Sequence, residues 1–369
     1  MARVNSPTIS VHERFPLERW ESLRGFFEEN YWPDVAIASR EYFAWQLKAD
    51  AVAADVITAW DGDRIVATLG FAAHPVFWGA TAEPVDGAWL VAWIVKPEYR
   101  HGIGLALLRA LQQRCPVVLG IGARPESERI FTRLGWGVFP SVSRYLAVFD
   151  AERAQAFCLP GVTREDIRPP LHPSATYSRD HAKQWAAEDY APAWSRYDAL
   201  RFGSVRSNEF LRWRYAEHPV YRFTVLTCGD RQRPAVCVYR IEQPSDVDWK
   251  VGRVLEFFHP SDALGRRDGL SLLRSVEQRL AAQGCAFADH VNSSAEYGDT
   301  LSEAGWLPEP AGQQLLAVRL QPVERVPYLR FNVEYGIRPG LARPSVGAMY
   351  VTRGDGDADR PTVIPRAHA

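Results

Sequence analysis

The sequence has few of the features that mark secreted, membrane-bound or metal-binding proteins. Its five cysteines form no CxxC pair and no cysteine–histidine cluster with the spacing of a zinc site. The first residues lack the apolar core of a leader peptide, and no run approaches the ~20 apolar residues that a membrane span needs. We therefore expect a cytoplasmic protein with reduced thiols, without a bound metal and without a membrane partner.

Neither sign of charge is in excess. The 43 lysines and arginines are balanced by 44 aspartates and glutamates, which gives a formal net charge of −1. Such a chain lacks the overall positive field that draws proteins onto nucleic acids. We therefore expect no nucleic-acid partner, and the near-neutral charge also counts weakly against a tRNA substrate.

The chain has 369 residues and the composition of an ordinary globular protein, with 47% hydrophobic and 24% charged residues. This length exceeds that of one ordinary hydrophobic core, so two domains and a tail are expected.

The sequence also repeats itself in five places that follow one another in the same order. The segments 41–46, 56–60 and 104–108 return at 209–214, 224–228 and 269–273, and Cys115 and 134–136 return as Cys285 and 304–306. The shift stays between 165 and 170 residues. Each match alone is weak, but five in one order indicate an internal duplication.

Each repeat has the same predicted order of elements: a helix, two strands around a polar turn, a strand, a long helix, a strand and a short helix before Gly-Trp. We predict an α/β protein with one mixed-sheet unit over 1–158 and a second over 174–325, joined by a segment rich in proline and charge. The remaining residues, 326–369, are predicted to form a loop-rich tail.

The first unit contains a strand that runs through a glycine turn directly into a helix. The apolar run 87–95 is typical of a central strand, and the helix after Gly104 carries leucines at three- and four-residue spacing. Such a turn directs free backbone N–H groups and the positive end of the helix dipole at one point, which suits a diphosphate. A dinucleotide fingerprint requires a third glycine where Leu107 stands, and the Gly-Lys-Ser/Thr of a Walker loop is absent.

This turn, Val95-Lys96-Pro97-Glu98-Tyr99-Arg100-His101-Gly102-Ile103-Gly104, resembles the acyl-CoA loop of the GNAT superfamily, V-x-P-x-Y-R-G-x-G-I-G, with one residue fewer between Arg100 and Gly102. The segment 127–136 is similar to the A-x-x-x-Y-x-x-x-G-F element of the same superfamily. The resemblance covers roughly 45–150 and reaches 209–310 through the repeat. It implies two GNAT-type units.

The resemblance also implies an acyl-CoA site in the first unit. The residues that it assigns to acyl-CoA are Ile94, Val95, Arg100, His101, Gly102, Ile103, Gly104 and Leu105. In the family, a backbone N–H on the strand before the loop polarises the thioester carbonyl, and by position this donor is Val95.

The matching loop of the second unit, 259–269, lacks the Gly-x-Gly pattern. It places Asp262 and Asp268 where phosphates need positive potential. We predict that the second unit has lost CoA binding and builds the acceptor pocket.

An amine acceptor must lose a proton before it attacks a thioester. GNAT enzymes commonly use a carboxylate on the central strand and a tyrosine near the Gly-Phe element, and these positions are Trp93 and Phe131 here. The second unit has Glu256 at the matching strand position and His290 on its next strand. We predict Glu256 as the first choice of proton acceptor and His290 as the second.

Both residues have plainer interpretations. Glu256 is equally consistent with an ion pair to Arg253 or Arg240, and His290 with a satisfied core histidine.

The acceptor side is predicted from scattered polar and aromatic residues. The residues assigned to it are His74, Trp93, Asn292, Tyr297, Asp355 and Asp357. Trp213, Tyr215 and Tyr297 are able to stack on a base, although core packing is the alternative for each. The aspartate-rich run 352–361 lacks the glycine and terminal glutamate of a calcium loop, and a solvated turn is its default interpretation.

The resemblance implies transfer of an acyl group from acyl-CoA to a primary amine. The tandem arrangement and the aspartate-rich tail resemble N-acyltransferases that act on nucleotide-linked amino sugars, carrying dTDP or UDP, in bacterial surface-sugar pathways. The alternatives are a mycothiol-synthase-like or antibiotic-modifying acetyltransferase, a Fem-type transferase that uses aminoacyl-tRNA, and a non-catalytic acyl-CoA sensor. The acyl length and the oligomeric state stay open.

Overall fold

The computed structural model describes residues 9–79, 83–168, 182–309, 313–320, 323–325, 331–345, 347–361 and 364. These residues form two large mixed β-sheets flanked by helices, together with two small two-stranded sheets, which confirms the α/β class. No helix among them is long and apolar enough to cross a membrane.

The strands up to residue 148 are β1 (Ile9–His12), β2 (Phe15–Pro16), β3 (Ala53–Ala54), β4 (Val56–Asp61), β5 (Arg64–Trp78), β6 (Val85–Val95), β7 (Val117–Ile121), β8 (Gly137–Phe139) and β9 (Ser143–Val148). The later strands are β10 (Lys183–Gln184), β11 (Phe202–Ser204), β12 (Thr224–Cys228), β13 (Ala235–Glu242), β14 (Lys250–Phe258), β15 (Cys285–Asn292), β16 (Leu307–Pro308), β17 (Arg319–Leu320), β18 (Val323–Glu324) and β19 (Val333–Ile337). The helices are α1 (Trp20–Asn30), α2 (Arg40–Gln46), α3 (Ile103–Arg114), α4 (Pro125–Arg133), α5 (Ala151–Ala154), α6 (Asn208–Leu211), α7 (Ala263–Ala282) and α8 (Ala295–Glu303).

The two large sheets have closely related orders. The first runs β1-β4-β5-β6-β7-β19-β8, with β11 added alongside β5, and the second runs β10-β12-β13-β14-β15-β9-β16. Each contains one parallel pair, β6 with β7 and β14 with β15. In both sheets a long helix, α3 or α7, connects the two parallel strands.

The two sheets exchange strands. β9, which belongs to the predicted first unit (1–158) in sequence, lies in the second sheet and pairs with β15 over six residues. β19, from the tail, lies in the first sheet between β7 and β8. A buried ion pair accompanies this exchange: Arg144 of β9 contacts Asp289 of β15 at 2.9 Å. The tail therefore completes the first sheet through a strand in its interior.

The internal repeat is visible as a contact between equivalent residues. Trp45 and Trp213 lie 168 residues apart, and each indole N–H donates to the backbone carbonyl of the other, at 2.7 and 2.8 Å. The next equivalent pair also meets, because Arg214 donates to the side chain of Gln46 at 3.1 Å. Such reciprocal contacts are typical of a two-fold arrangement of like units.

The first sheet separates two apolar layers. On one face, α1 and α2 bury residues such as Phe27 and Phe43 against Val91 of β6. On the other face, α3 and α4 bury Leu107 and Phe131. Both layers contact β6, which therefore has the α1–α2 layer on one face and the α3–α4 layer on the other.

Candidate functional site

A cleft opens between the two parallel strands of the first sheet. β6 and β7 pair only over residues 87–89 and 117–119. β6 then continues to Val95, while the other side of β7 is occupied by β19. The second half of β6 therefore has one edge turned to an opening rather than to β7.

The strand β6 is irregular where this opening begins. Ala92 has a left-handed backbone with φ of +51°, which is uncommon for a residue with a side chain. The pairing of β5 with β6 shifts register at the same place, between Thr68 and Gly70. A bulge of this kind redirects backbone groups and is frequent beside functional sites.

The orientation of Val95 fits the role predicted for it. The neighbouring Lys96 N–H donates to Val66 of β5 at 3.0 Å. Because backbone groups alternate in direction along a strand, the Val95 N–H points away from β5, toward the opening.

The predicted CoA loop lies at the start of α3. Gly102 occupies the N-cap position with φ of +101°, a backbone that favours glycine, and no side chain caps the helix there. The first-turn N–H groups of α3 have no partner within the helix. Gly104 rests on β6, since a Cβ there would lie 3.0 Å from Val95 Cγ2 and 3.3 Å from the Trp93 indole. Arg100 and His101 are exposed beside this turn.

The equivalent helix of the second unit is capped by its own acid. The Asp262 carboxylate accepts the Gly265 N–H at 2.9 Å and forms an ion pair with Arg233. A carboxylate thus occupies the position at the α7 N-terminus where an anionic ligand would otherwise bind. The start of α3 therefore has no side-chain cap, whereas the start of α7 is capped by Asp262.

A pocket of about 340 Å³, including space open to solvent, lies against the α1–α2 face of β6. The bulge of β6 forms its floor through Val91 and Ala92. The remaining wall residues come from the segment after α1 (Tyr31, Trp32, Val35, Ala36 and Ile37), from α2 (Tyr42 and Gln46) and from the tail (Asp357 and Arg360). The walls are mainly apolar, and Asp357 and Arg360 form an ion pair there.

The tail reaches this pocket because buried contacts hold it. Asp355 accepts bonds from Arg206 at 2.6 Å and from Ser204 at 2.8 Å, and all three are almost fully buried. The carbonyl of Gly356 accepts a bond from Gln46 of α2 at 3.1 Å. The interpretation of 352–361 as a solvated turn is therefore wrong, because Asp355 and Asp359 pair with the distant Arg206 and Arg240.

Glu256 lies in the same buried network. It pairs with Arg206 at 3.2 Å, rather than with Arg253 or Arg240, and accepts the hydroxyls of Tyr215 and Tyr350 at 2.7 and 2.8 Å. Burial raises the pKa of this carboxyl. A Cβ at Gly354 would lie 2.4 Å from its Oε1, so the glycine lets the tail approach.

His290 and His74 are both buried. His290 contacts the Val254 carbonyl through Nδ1 at 3.1 Å, and burial lowers its pKa to about 4. His74 contacts Ser204 at 2.6 Å, which joins it to the network around Asp355. Neither histidine is among the residues that line the pocket.

The other predicted acceptor residues are dispersed. Trp93 lies beneath α3 with its ring centroid 5.5 Å from that of Phe131. Asn292 accepts the backbone N–H of Ser294, and the Tyr297 hydroxyl donates to the His259 carbonyl. Of the predicted acceptor residues, Asp357 is the one that lines the pocket.

The prediction that aromatic residues stack on a base is wrong for Tyr215 and Tyr297. Both side chains are fully buried in the core of the second unit, which is the alternative interpretation. Trp213 is engaged with Trp45.

Apart from Asp357, the wall residues of the pocket were not predicted, and among them Tyr31, Gln46 and Arg360 carry polar groups. The adjacent aromatic residues Tyr31-Trp32 at the end of an amphipathic helix are the one available signal in the sequence. Burial raises the pKa of the Tyr31 hydroxyl, which lies close to Arg360 and Asp357.

No group of three or more potential metal ligands comes together within the described parts of the chain.

Comparison with protein families gives a match within the first unit. Residues 17–124, which contain β6, the glycine turn and α3, match the acetyltransferase (GNAT) family. This segment matches a GNAT acetyltransferase domain, and the match supports the predicted enzyme class of acyltransferase. A search of curated proteins gives no match.

Solved structures share the fold over most of the chain. A protein from Enterococcus faecalis described as a probable N-acyltransferase aligns with a TM-score of 0.55 and 10% identity, over 89% of this chain and 72% of that chain. A GCN5-related N-acetyltransferase from Anabaena variabilis aligns with 0.54 and 12%, over the same shares. An N-myristoyltransferase from Saccharomyces cerevisiae, solved with myristoyl-CoA and inhibitors, aligns with 0.50 and 12%, over 91% and 80%. At these identities the likeness concerns the fold.

Proposed function

We propose that this chain is an acyl-CoA-dependent N-acyltransferase in which the first unit binds acyl-CoA and the pocket beside β6 receives the amine. The observation that carries the proposal is the uncapped start of α3, which lies next to an open strand edge and across β6 from a pocket. The helix start suits the diphosphate, and the strand edge suits the extended arm that ends in the thioester. The second unit offers no equivalent helix start, since Asp262 fills it.

The chemistry follows from this placement. The acceptor nitrogen attacks the thioester carbon, the carbon–sulfur bond breaks, and the electron pair leaves with the CoA sulfur, which takes up a proton. The Val95 N–H is the donor for the developing oxyanion, and such a donor is worth about 3 kcal/mol in the barrier.

The proton of the ammonium requires an acceptor near the pocket. We place this role on Asp357, because its carboxylate lines the pocket, where an ammonium would displace Arg360. Glu256 and His290 are the acceptors predicted from the sequence, and neither of them lines the pocket. Measuring kcat/KM against pH for Asp357→Asn, Glu256→Gln and His290→Gln separates the three, because losing a general base lowers the rate by roughly 10²–10⁴-fold.

The acceptor that we propose is a nucleotide-linked amino sugar. The apolar walls and the Tyr31–Trp32 pair suit the face of a sugar ring or a base, and Arg360 suits a phosphate. This specificity also rests on the resemblance of the tandem arrangement.

Release of free CoA thiol tests both levels of the proposal. The assay presents acetyl-CoA and longer acyl-CoAs with a panel of amines that includes dTDP- and UDP-linked amino sugars and the corresponding free sugars. We expect release with the nucleotide-linked amines and much less with the free sugars. Equal turnover of the two forms contradicts the acceptor class. Absence of release with every amine contradicts the enzymatic proposal and indicates an acyl-CoA sensor.

A further inference from the structure

The strand supplied by the tail brings an acid into the first sheet. Glu334 of β19 pairs in register with Gly120 of β7. A Cβ at Gly120 would lie 3.1 Å from Glu334 Oε2, so the carboxyl group lies over the backbone of Gly120. The absence of a side chain at Gly120 makes the room that the carboxyl group occupies.

This carboxyl group lies at the root of the cleft. Leu90 Cδ1 approaches the same point over Gly120, at 3.7 Å. Leu90 is the residue of β6 that follows Trp89, the last one paired with β7. Leu90 also packs against the apolar cluster that contains Leu107 of α3 and Phe131 of α4. The acid therefore faces the α3–α4 side of the sheet, at the level where β6 leaves β7.

Glu334 has no hydrogen-bond partner that accounts for its burial. The residue is fully buried, and beyond its own backbone N–H neither carboxyl oxygen has a partner among the described residues. The side-chain nitrogen of the neighbouring Asn332 donates to the Ala123 carbonyl and to Glu128 of α4, and Asn332 Oδ1 is a second buried oxygen without a partner among the described residues. Buried polar groups are nearly always satisfied, so an unsatisfied one calls for a ligand or another specific cause.

We propose that the carboxyl group of Glu334 donates a hydrogen bond to an amide carbonyl of the pantetheine arm of bound acyl-CoA, at the root of the cleft. The inference rests on the proposed function, since it assumes that acyl-CoA occupies the cleft. It assigns a part of the cofactor site to a strand that follows the second unit in the sequence. The donor must be protonated to act.

The surroundings of Glu334 keep it protonated at neutral pH. Burial and, as a smaller cause, the negative charge of Glu128 on α4 together raise its pKa to about 8. Above that pH the carboxylate has no proton to donate and repels an amide carbonyl.

The test is the dissociation constant of acetyl-CoA, measured by calorimetry from pH 6.5 to 9.5 at constant ionic strength. Acetyl-CoA is chosen because its blocked thiol does not titrate. For the wild type we expect affinity to fall about tenfold across this range, with its midpoint near pH 8. Glu334→Gln, a neutral donor, should keep the affinity of the wild type at pH 7 and lose the pH dependence. Glu128→Gln should move the midpoint to lower pH.

A third variant removes the donor altogether. Glu334→Leu should bind acetyl-CoA about three- to tenfold more weakly at pH 7, as expected for one lost hydrogen bond. A pH-independent affinity of the wild type, an unchanged pH dependence in Glu334→Gln, or wild-type affinity in a folded Glu334→Leu overturns the inference and leaves the proposed function standing. If the wild type binds no acetyl-CoA at any pH, both the proposed function and this inference are wrong.

Discussion

Replacing Asp355 with alanine removes the carboxylate that ties the tail to the rest of the protein. Asp355 is 1% exposed and contacts Arg206, which is 0% exposed, at 2.6 Å. It also accepts bonds from Ser204 and from the backbone of Thr352, at 2.8 and 3.0 Å. Alanine leaves all three donors without this partner.

The magnitude follows from burial. Removing one member of a buried ion pair costs about 3–5 kcal/mol, because the remaining charge stays buried. Arg206 keeps Glu256 as a second partner at 3.2 Å, so we expect the lower end, about 3 kcal/mol. For a chain of this length that unfolds as one unit, this corresponds to a fall in Tm of about 4 °C.

Chemical denaturation and thermal melting of the two variants Asp355→Ala and Asp357→Ala provide the assay. Asp357 is the matched control, because its ion pair with Arg360 is three residues apart and lies partly in solvent. Such a pair contributes less than about 1 kcal/mol. The reasoning is refuted if Asp355→Ala stays within 1 kcal/mol of the wild type, or if both variants lose the same amount.

Three further predictions concern the fold. Glu334→Gln should gain stability relative to the wild type as pH rises from 5 to 8. The reason is that folded wild-type protein holds a proton on Glu334, whereas the unfolded chain has lost it above the ordinary pKa of 4.5. A constant difference in denaturation midpoint between pH 5 and pH 8 contradicts this. Trp45→Phe and Trp213→Phe should each cost about 1 kcal/mol, and a double-mutant cycle by denaturation should give a coupling above about 0.5 kcal/mol, whereas strict additivity argues against a shared contact. Asp262→Ala should destabilise the protein by about 1 kcal/mol through loss of the α7 cap, with acetyl-CoA affinity unchanged by calorimetry, and a change in that affinity contradicts the assignment of CoA to the first unit.

Local patterns in the sequence predict the parts of the fold that depend on neighbouring residues. The glycine turn before α3 is predictable because strand, turn and helix signals follow one another within 87–108. The loss of this turn in the second unit is predictable for the same reason, since Asp262 is a strong N-cap residue directly before a helical pattern.

Strand exchange is not predictable in this way. Residues 333–337 lie in a tail that the sequence predicts to be loop-rich, and no pattern in 143–148 or 333–337 says which sheet a strand there joins. The partners of β9 are β15 and β16, both more than a hundred residues away, and the partners of β19 are β7 and β8. Domain limits drawn along the sequence therefore differ from the composition of the two sheets.

The burial of the tail segment 352–361 was not predicted, for a related reason. An aspartate-rich run normally indicates solvent exposure, and the run 352–361 becomes buried because arginines from other segments meet it. Arg206 lies 149 residues from Asp355, and Arg240 lies 119 residues from Asp359. The pocket beside β6 depends on this long-range pairing, so its charged wall could not be located from the sequence.

The central claim is that the start of α3 holds acyl-CoA, and Gly104→Glu tests it most directly. A side chain there meets Val95 and Trp93, and its negative charge opposes the diphosphate. The matched control is Gly25→Glu on the exposed face of α1, where a Cβ meets nothing within 4 Å. The measurement is the thermal stabilisation by acetyl-CoA, which amounts to about 2.7 kcal/mol at a hundredfold excess over the dissociation constant. The account predicts full stabilisation of the wild type and of Gly25→Glu and none of Gly104→Glu, and stabilisation of Gly104→Glu equal to that of the wild type would contradict it.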